Sequence, residues 1–290
     1  MSLEPSTAEA NSVKTDATIT WCQLIMEFFG TFTIVYTLML AHVQLQENRI
    51  DYTGYALANF CVIGFMVYCG ANISGGHYNV SVSIALVLTK HVSERKFMAY
   101  IASQFCGSIL AGVMMQIYKT QVIGKRLDYG DAYPHSDLKN WPFISCFIME
   151  MISTYLLVYM YYSTIYSISK PKTEIYGLAI GAVAAFSTLT IGPITGACLN
   201  PWRVIGPAAI TFELFTAEFG YAWVYYIGCT TGAILAGLNW NWFMKNHQFS
   251  NELKIPVNGL SDYEDNENAE FKNNTKAQNP SGQSPPSPNR

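Results

Sequence analysis

Gly75-Gly76-His77-Tyr78-Asn79 and Gly196-Ala197-Cys198-Leu199-Asn200 stand 121 residues apart, and each leads into a short apolar stretch, over about 79–89 and 200–210. A spanning helix needs about 20 apolar residues to cross a hydrocarbon core about 30 Å thick. These stretches are too short, and a half-helix that enters from one side and stops near the midplane explains their length. Asn79 and Asn200 sit where an N-cap is wanted, since an asparagine oxygen accepts a free first-turn N–H. Pro201 fits the first helical position, where its missing N–H costs nothing.

Two further pairs of segments extend the correspondence. Glu27-Phe28-Phe29-Gly30-Thr31-Phe32 answers Glu150-Met151-Ile152-Ser153-Thr154-Tyr155 at an offset of 123. Gly107-Ser108-Ile109-Leu110-Ala111-Gly112 answers Gly232-Ala233-Ile234-Leu235-Ala236-Gly237 at an offset of 125. Three matches in order at nearly one offset predict an internal repeat.

Around these markers lie long apolar spans at about 20–43, 53–73, 97–118, 142–165, 174–192 and 221–243. The chain is 50% hydrophobic and only 13% charged, where a soluble domain carries roughly a quarter charged residues. Three spans per half is an odd number, so the halves are inverted in the membrane. Inverted repeats with interrupted hydrophobic segments place a transport site where the broken helices meet. The fold class expected is an all-α membrane protein with six transmembrane helices and two re-entrant half-helices.

Residues 1–19 and 245–290 read as polar, disordered tails around a channel domain at 20–244, with halves at about 20–119 and 142–244. Basic residues in the loops divide seven against five, which favours both termini in the cytosol. Trp21, Trp141, Trp223, Trp240 and Trp242 fall at span ends, where an aromatic belt belongs. Most of the seven cysteines read as small buried hydrophobes. With a net charge of −3 and no basic patch, nucleic acid is not an expected partner. No nucleophile–base pair, metal-ligand spacing or phosphate loop stands out, so neither an enzyme nor a cofactor or metal is expected.

Two half-helices meeting N-terminus to N-terminus add positive potential at the midplane, roughly half an elementary charge each. The amide N–H groups of Asn79 and Asn200 are left to donate to a passing oxygen. Such a centre holds a water or hydroxyl oxygen and repels a cation or proton. Glu27 and Glu150 are carboxylates inside spans, and carboxylates there must be paired or hydrogen-bonded. They read as buttresses for the re-entrant loops, with a proton relay as the alternative. His77 reads as a structural loop histidine, with a pH sensor as the alternative.

In these residues the chain resembles the aquaporin, or major intrinsic protein, family. The resemblance covers about 20–244 and rests on Ser74-Gly75-Gly76-His77-Tyr78-Asn79, Gly196–Arg203, Gly206-Pro207-Ala208 and Trp223–Gly228. It implies an aquaporin-like fold, a pore in each protomer and a homotetramer. It also implies that each membrane carboxylate accepts backbone N–H groups of a re-entrant loop. The family's two Asn-Pro-Ala signatures are degenerate, reading Asn79-Val80-Ser81 and Asn200-Pro201-Trp202. Counting from each asparagine, the family's outer filter falls on Asn59, Thr188, Ala197 and Arg203. Strict water channels of the family place an aromatic and a histidine where Asn59 and Thr188 stand, so a wider, polar constriction is expected. Glycerol channels of the family usually follow the arginine with an aspartate, where this chain has Val204.

Trp202 is the largest departure. It must fill the pore, displace the facing loop or turn into the protein. The expectation is docking against the facing loop at Val80 and Ser81, with Ser81 or a loop carbonyl taking the indole N–H. The function expected is a passive channel for water, with small uncharged solutes such as glycerol or urea, that excludes ions and protons. The alternative is an occluded protein of the same fold with an adhesion or scaffolding role. The setting expected is a lipid bilayer, the plasma membrane rather than an internal one.

Overall fold

A computed structural model describes residues 19–124, 143–165, 175–211 and 222–252. The expected tails, the loop around Trp141 and the loop carrying Lys170 and Lys172 lie outside the described residues, apart from a few at their edges. The chain divides into two compact units, residues 1–240 and 241–290. Of the second unit, only the helical stretch up to Glu252 is described.

The helices, in order, are α1 (Trp21–Gln46), α2 (Tyr52–Gly70), α3 (Val80–Leu88), α4 (Glu94–Tyr118), α5 (Phe143–Ile165), α6 (Tyr176–Thr195), α7 (Trp202–Thr211) and α8 (Trp223–Glu252). Five long ones, α1, α2, α4, α5 and α6, are long and apolar enough to cross a membrane. The sixth, α8, is long but more polar, with Thr230, Thr231 and Asn239 in its apolar run. The two short helices, α3 and α7, are the ones foreseen after Asn79 and near Asn200.

Local chemistry sets the starts of the long helices. Thr20 caps α1 through a capping box with Gln23, Asp51 caps α2 on Gly54 N–H, and Ser93 caps α4 on Lys96 N–H. The helices then pack closely: α1 lies on α4, α2 on α6, and α7 on α4. A Cβ added to Gly107 would come within 2.3 Å of the Phe28 carbonyl, and one added to Gly232 within 2.2 Å of the Met151 carbonyl. Both glycines belong to the third repeated segment and both partners to the first. The repeat therefore marks where helix backbones touch.

Two expectations about side-chain placement are corrected. Only Cys146, Cys198 and Cys229 are buried, while Cys22, Cys61, Cys69 and Cys106 are exposed on the helix surfaces. In a bilayer, lipid takes an apolar side chain as readily as a protein core does, so apolar context does not distinguish the two. Trp21, Trp223 and Trp242 are exposed as a belt requires, but Trp240 is buried. Its ring stacks on Tyr162 at 5.4 Å and meets Tyr159 edge-on at 5.8 Å.

Candidate functional site

The two loops before α3 and α7 share one backbone course. Gly75, Gly76 and Tyr78 have φ of 96°, 66° and 49°; Gly196, Ala197 and Leu199 have φ of 78°, 51° and 56°. Each pair is 121 residues apart. Left-handed φ is costly for Tyr78, Ala197 and Leu199, which carry a Cβ, and such strain persists only where surrounding bonds hold it.

Glu27 and Glu150 supply those bonds. Glu27 Oε1 accepts from Ser74 Oγ at 2.6 Å and His77 N at 3.0 Å. Its Oε2 accepts from Tyr78 N and Gln104 Nε2, both at 2.8 Å. Glu150 Oε1 accepts from Thr195 Oγ1 at 2.6 Å and Cys198 N at 3.0 Å, and its Oε2 from Leu199 N at 3.1 Å. Tyr100 OH then donates to Ser74 O, and Tyr225 OH to Thr195 O, both at 2.8 Å. Both carboxylates are fully buried, and they accept chiefly from loop donors, with Gln104 of α4 added on Glu27 and Cys229 Sγ of α8 on Glu150 at 3.7 Å. This geometry is that of a buttress.

The half-helices meet head to head. Asn79 Oδ1 accepts from Ser81 N at 2.8 Å and Asn200 Oδ1 from Trp202 N at 3.2 Å, so both cap as expected. Their amides are not wholly free, however. Asn79 Nδ2 donates to Leu199 O at 2.9 Å, and Asn200 Nδ2 to Tyr78 O at 3.1 Å. An amide has two N–H groups, so these bonds use one of the two on each asparagine. Val80 N also reaches Asn200 Oδ1 at 3.4 Å. Pro201 is buried at the head of α7, and its carbonyl accepts from Ile205 N at 3.0 Å.

Asn79 and Asn200 line a cavity of about 50 Å³ together with His77, Tyr161, Asn59, Ala197 and Arg203. Its remaining wall is mainly aliphatic, with Val35, Leu38, Ile63 and Ile180 among the residues. His77 is buried; its Nδ1 is 3.0 Å from Ser83 Oγ, and its ring meets Tyr100 and Tyr161 edge-on.

Three of the four filter positions line this cavity together. Arg203 Nη1 donates to Ala197 O at 2.7 Å and Gly196 O at 3.3 Å, and Nη2 donates to Tyr55 OH. Asn59, which lines the cavity, turns its Nδ2 back onto Tyr55 O at 3.3 Å. Thr188 is not among the lining residues. It is 1% exposed, and its hydroxyl donates to Ala184 O at 2.9 Å.

With this site in view, the model of the family described as "Major intrinsic protein" matches residues 13–240. The chain belongs to the major intrinsic protein family. Members of this family are membrane channels rather than enzymes, and this chain is a multi-pass membrane protein of the aquaporin family. It is 29% identical over 223 residues to Aquaporin NIP1-1 of Oryza sativa subsp. japonica, covering 76% of this chain and 73% of that one. To human Aquaporin-4 it is 34% identical over 176 residues, covering 60% of this chain and 51% of that one. The X-ray structure of the Plasmodium falciparum aquaglyceroporin aligns with a TM-score of 0.64 at 20% identity, over 81% of this chain and 97% of that one. At that identity the likeness is one of fold.

Trp202 departs from its expected place in this aquaporin fold. It does not line the cavity, and its ring lies 5.0 Å from that of Phe105 on α4. The backbone directs it there. Ser108 Oγ donates to Trp202 O, and Gly206, one turn on, lies against Ser108. The expected bond between the indole and Ser81 does not form. Trp202 Nε1 and Ser81 Oγ are both buried without a hydrogen-bond partner among the described residues.

Tyr55 and Tyr161 were not singled out from the sequence. Tyr161 lines the cavity beside His77, and its hydroxyl donates to Gly75 O. The only sequence signal was helical periodicity: Tyr55 stands one turn before Asn59.

Proposed function

We propose that this aquaporin-family chain is a passive channel for water and for small uncharged solutes such as glycerol or urea, and that it excludes ions and protons. The observation that carries the reading is the pairing of Asn79 and Asn200 at the heads of two facing half-helices, both lining one lumen with Arg203. The two dipoles and the guanidinium make a positive stretch that a neutral oxygen crosses and a cation does not. Asn79 and Asn200 act as the midplane donors. Asn59, Thr188, Ala197 and Arg203 are the outer-filter positions, of which Asn59, Ala197 and Arg203 line the cavity. Val80, Ser81, Pro201, Trp202, His77, Glu27 and Glu150 support the loops and the pore.

Solutes larger than water are proposed because no aromatic ring stands at Asn59 or Thr188. The occluded reading rested on Trp202, whose ring sits against Phe105 and away from the lumen. A homotetramer in the plasma membrane, with both termini cytosolic, completes the proposal. Residues 20–244 form its channel domain and the two tails lie outside it. Stopped-flow light scattering on proteoliposomes tests it. Osmotic shrinkage well above that of empty liposomes, with no proton flux under a pH gradient, is expected. Shrinkage no faster than that of empty liposomes across several lipid mixtures would overturn it.

A further inference from the structure

Arg203 is fixed by three acceptors, and only one of them is a side chain. Gly196 O and Ala197 O hold Nη1, and both belong to the loop that leads into α7. Nη2 is held by Tyr55 OH from α2, a different helix. A guanidinium is planar and presents its N–H donors in a rigid fork, so bonds at both Nη ends fix the plane of the group. With Nη1 alone held, the group is free to turn about that end.

Tyr55 is itself well seated. It is 1% exposed, and its ring meets His42 of α1 at 5.8 Å, edge-on. Its carbonyl accepts the Asn59 amide. One residue therefore braces two lumen-lining side chains, Arg203 through its hydroxyl and Asn59 through its backbone, while not lining the lumen. The filter count along the sequence credits α2 with Asn59 alone.

We propose that Tyr55 is a specificity-determining positioning residue, whose hydroxyl holds the Arg203 guanidinium at the wall of the lumen and so keeps the filter open to solutes larger than water. This rests on the reading of Arg203 as a filter residue. Without the hydroxyl, the Nη2 end seeks another acceptor, and Asn59, which lines the same lumen, carries an amide oxygen that offers one. A guanidinium drawn onto Asn59 narrows the passage for urea or glycerol more than for water.

The test is Tyr55→Phe, which keeps the ring against His42 and removes one oxygen. Water and urea permeabilities are measured in the same proteoliposomes, with the purified protein checked for monodispersity. The urea-to-water ratio is expected to fall about tenfold while water stays within about twofold, since steric discrimination acts on the larger solute first. In an Arg203→Ala background, Tyr55→Phe should leave the ratio unchanged, because the hydroxyl acts through the guanidinium. An unchanged ratio in the single variant overturns the proposal. So does an equal fall of both permeabilities, which marks a purely structural role, or a shift that persists in the Arg203→Ala background. A wild type that conducts water but neither urea nor glycerol overturns the aperture claimed here and the solute range proposed above, and leaves the water channel standing. A wild type that conducts nothing overturns the channel reading itself.

Discussion

Asn79 and Asn200 are tied not to each other but each to the carbonyl just ahead of the other: Asn79 Nδ2 reaches Leu199 O at 2.9 Å, and Asn200 Nδ2 reaches Tyr78 O at 3.1 Å. The two residues proposed as lumen donors are thus also the clasp between the loops. One N–H of each amide is spent on the clasp.

This dual use predicts that either asparagine is worth more than one lumen donor. Asn200→Leu or Asn79→Leu removes the cap, the cross-loop bond and the lumen N–H together. Loss of a cap costs about 1 kcal/mol, and the orphaned carbonyl about 1–3 kcal/mol more. Water permeability per protein should fall at least about tenfold, with a lowered unfolding temperature. Stopped-flow shrinkage and a thermal scan by size-exclusion fluorescence check both. A variant as permeable and as stable as wild type would refute the clasp.

Glu150→Gln should damage the protein more than its small volume change suggests. Thr195 Oγ1, Cys198 N and Leu199 N all donate to this carboxylate. An amide turns one of its own donors toward them. Each donor that faces a donor costs about 1–3 kcal/mol, so the thermal midpoint and the yield of monodisperse protein should both drop. Glu27→Gln should do the same, since its four bonds have the same form. Full stability of either variant in detergent would refute the buttress role.

Trp202 gives a paired prediction. Trp202→Ala empties the space against Phe105 and should destabilise by about 3–5 kcal/mol, as large-to-small core changes do. Its water permeability per folded protein should stay within about twofold, because the ring does not line the lumen. Trp202→Phe keeps an aromatic contact and removes an indole N–H that has no partner among the described residues. Its thermal midpoint should be no lower than that of wild type, since a buried orphan donor is itself unfavourable. A well-folded Trp202→Ala with a large gain in permeability would identify the ring as a plug.

Thr188 and Asn59 should separate under mutation. The Thr188 hydroxyl is spent on Ala184 O, outside the lining. Thr188→Val should therefore change neither water nor urea permeability by more than about twofold. Thr188→His adds a ring too large for the buried site, and the ring must extend toward the lumen. It should suppress urea or glycerol more than water. Solute uptake by the two variants, measured beside water, decides this; a strong loss of urea flux in Thr188→Val would place the hydroxyl in the path.

The repeat, the capping asparagines and the two short helices were legible because each leaves a local mark. A capping residue, a glycine pair and a carboxylate in an apolar run can be read without knowing the fold. Counting from each asparagine against the filter of the family it resembles led to Asn59, Thr188, Ala197 and Arg203, of which all but Thr188 line the cavity. It could not tell that the Thr188 hydroxyl is spent on Ala184 O, since a threonine in a helix can satisfy its hydroxyl on its own carbonyls whichever way it faces. Trp202 was misplaced because its direction depends on Ser108 and Gly206, from two different helices. Tyr55 was missed because a tyrosine in an apolar span carries no mark until Arg203, 148 residues later, is brought to its hydroxyl.

The partners of Glu27 lie at 74, 77, 78 and 104, and those of Glu150 at 195, 198, 199 and 229. Each carboxylate draws only on its own half. The clasp does not, since Asn79 waits for Leu199, 120 residues further on. At ribosomal speeds of about 5–20 residues per second, that wait is on the order of ten seconds. The bonds from Glu27 are therefore available to the first loop while the second is still unmade, whereas the Tyr161 hydroxyl on Gly75 O and the Asn200 amide on Tyr78 O arrive only with the second half. The first loop is braced early by its own carboxylate and clasped late by its counterpart.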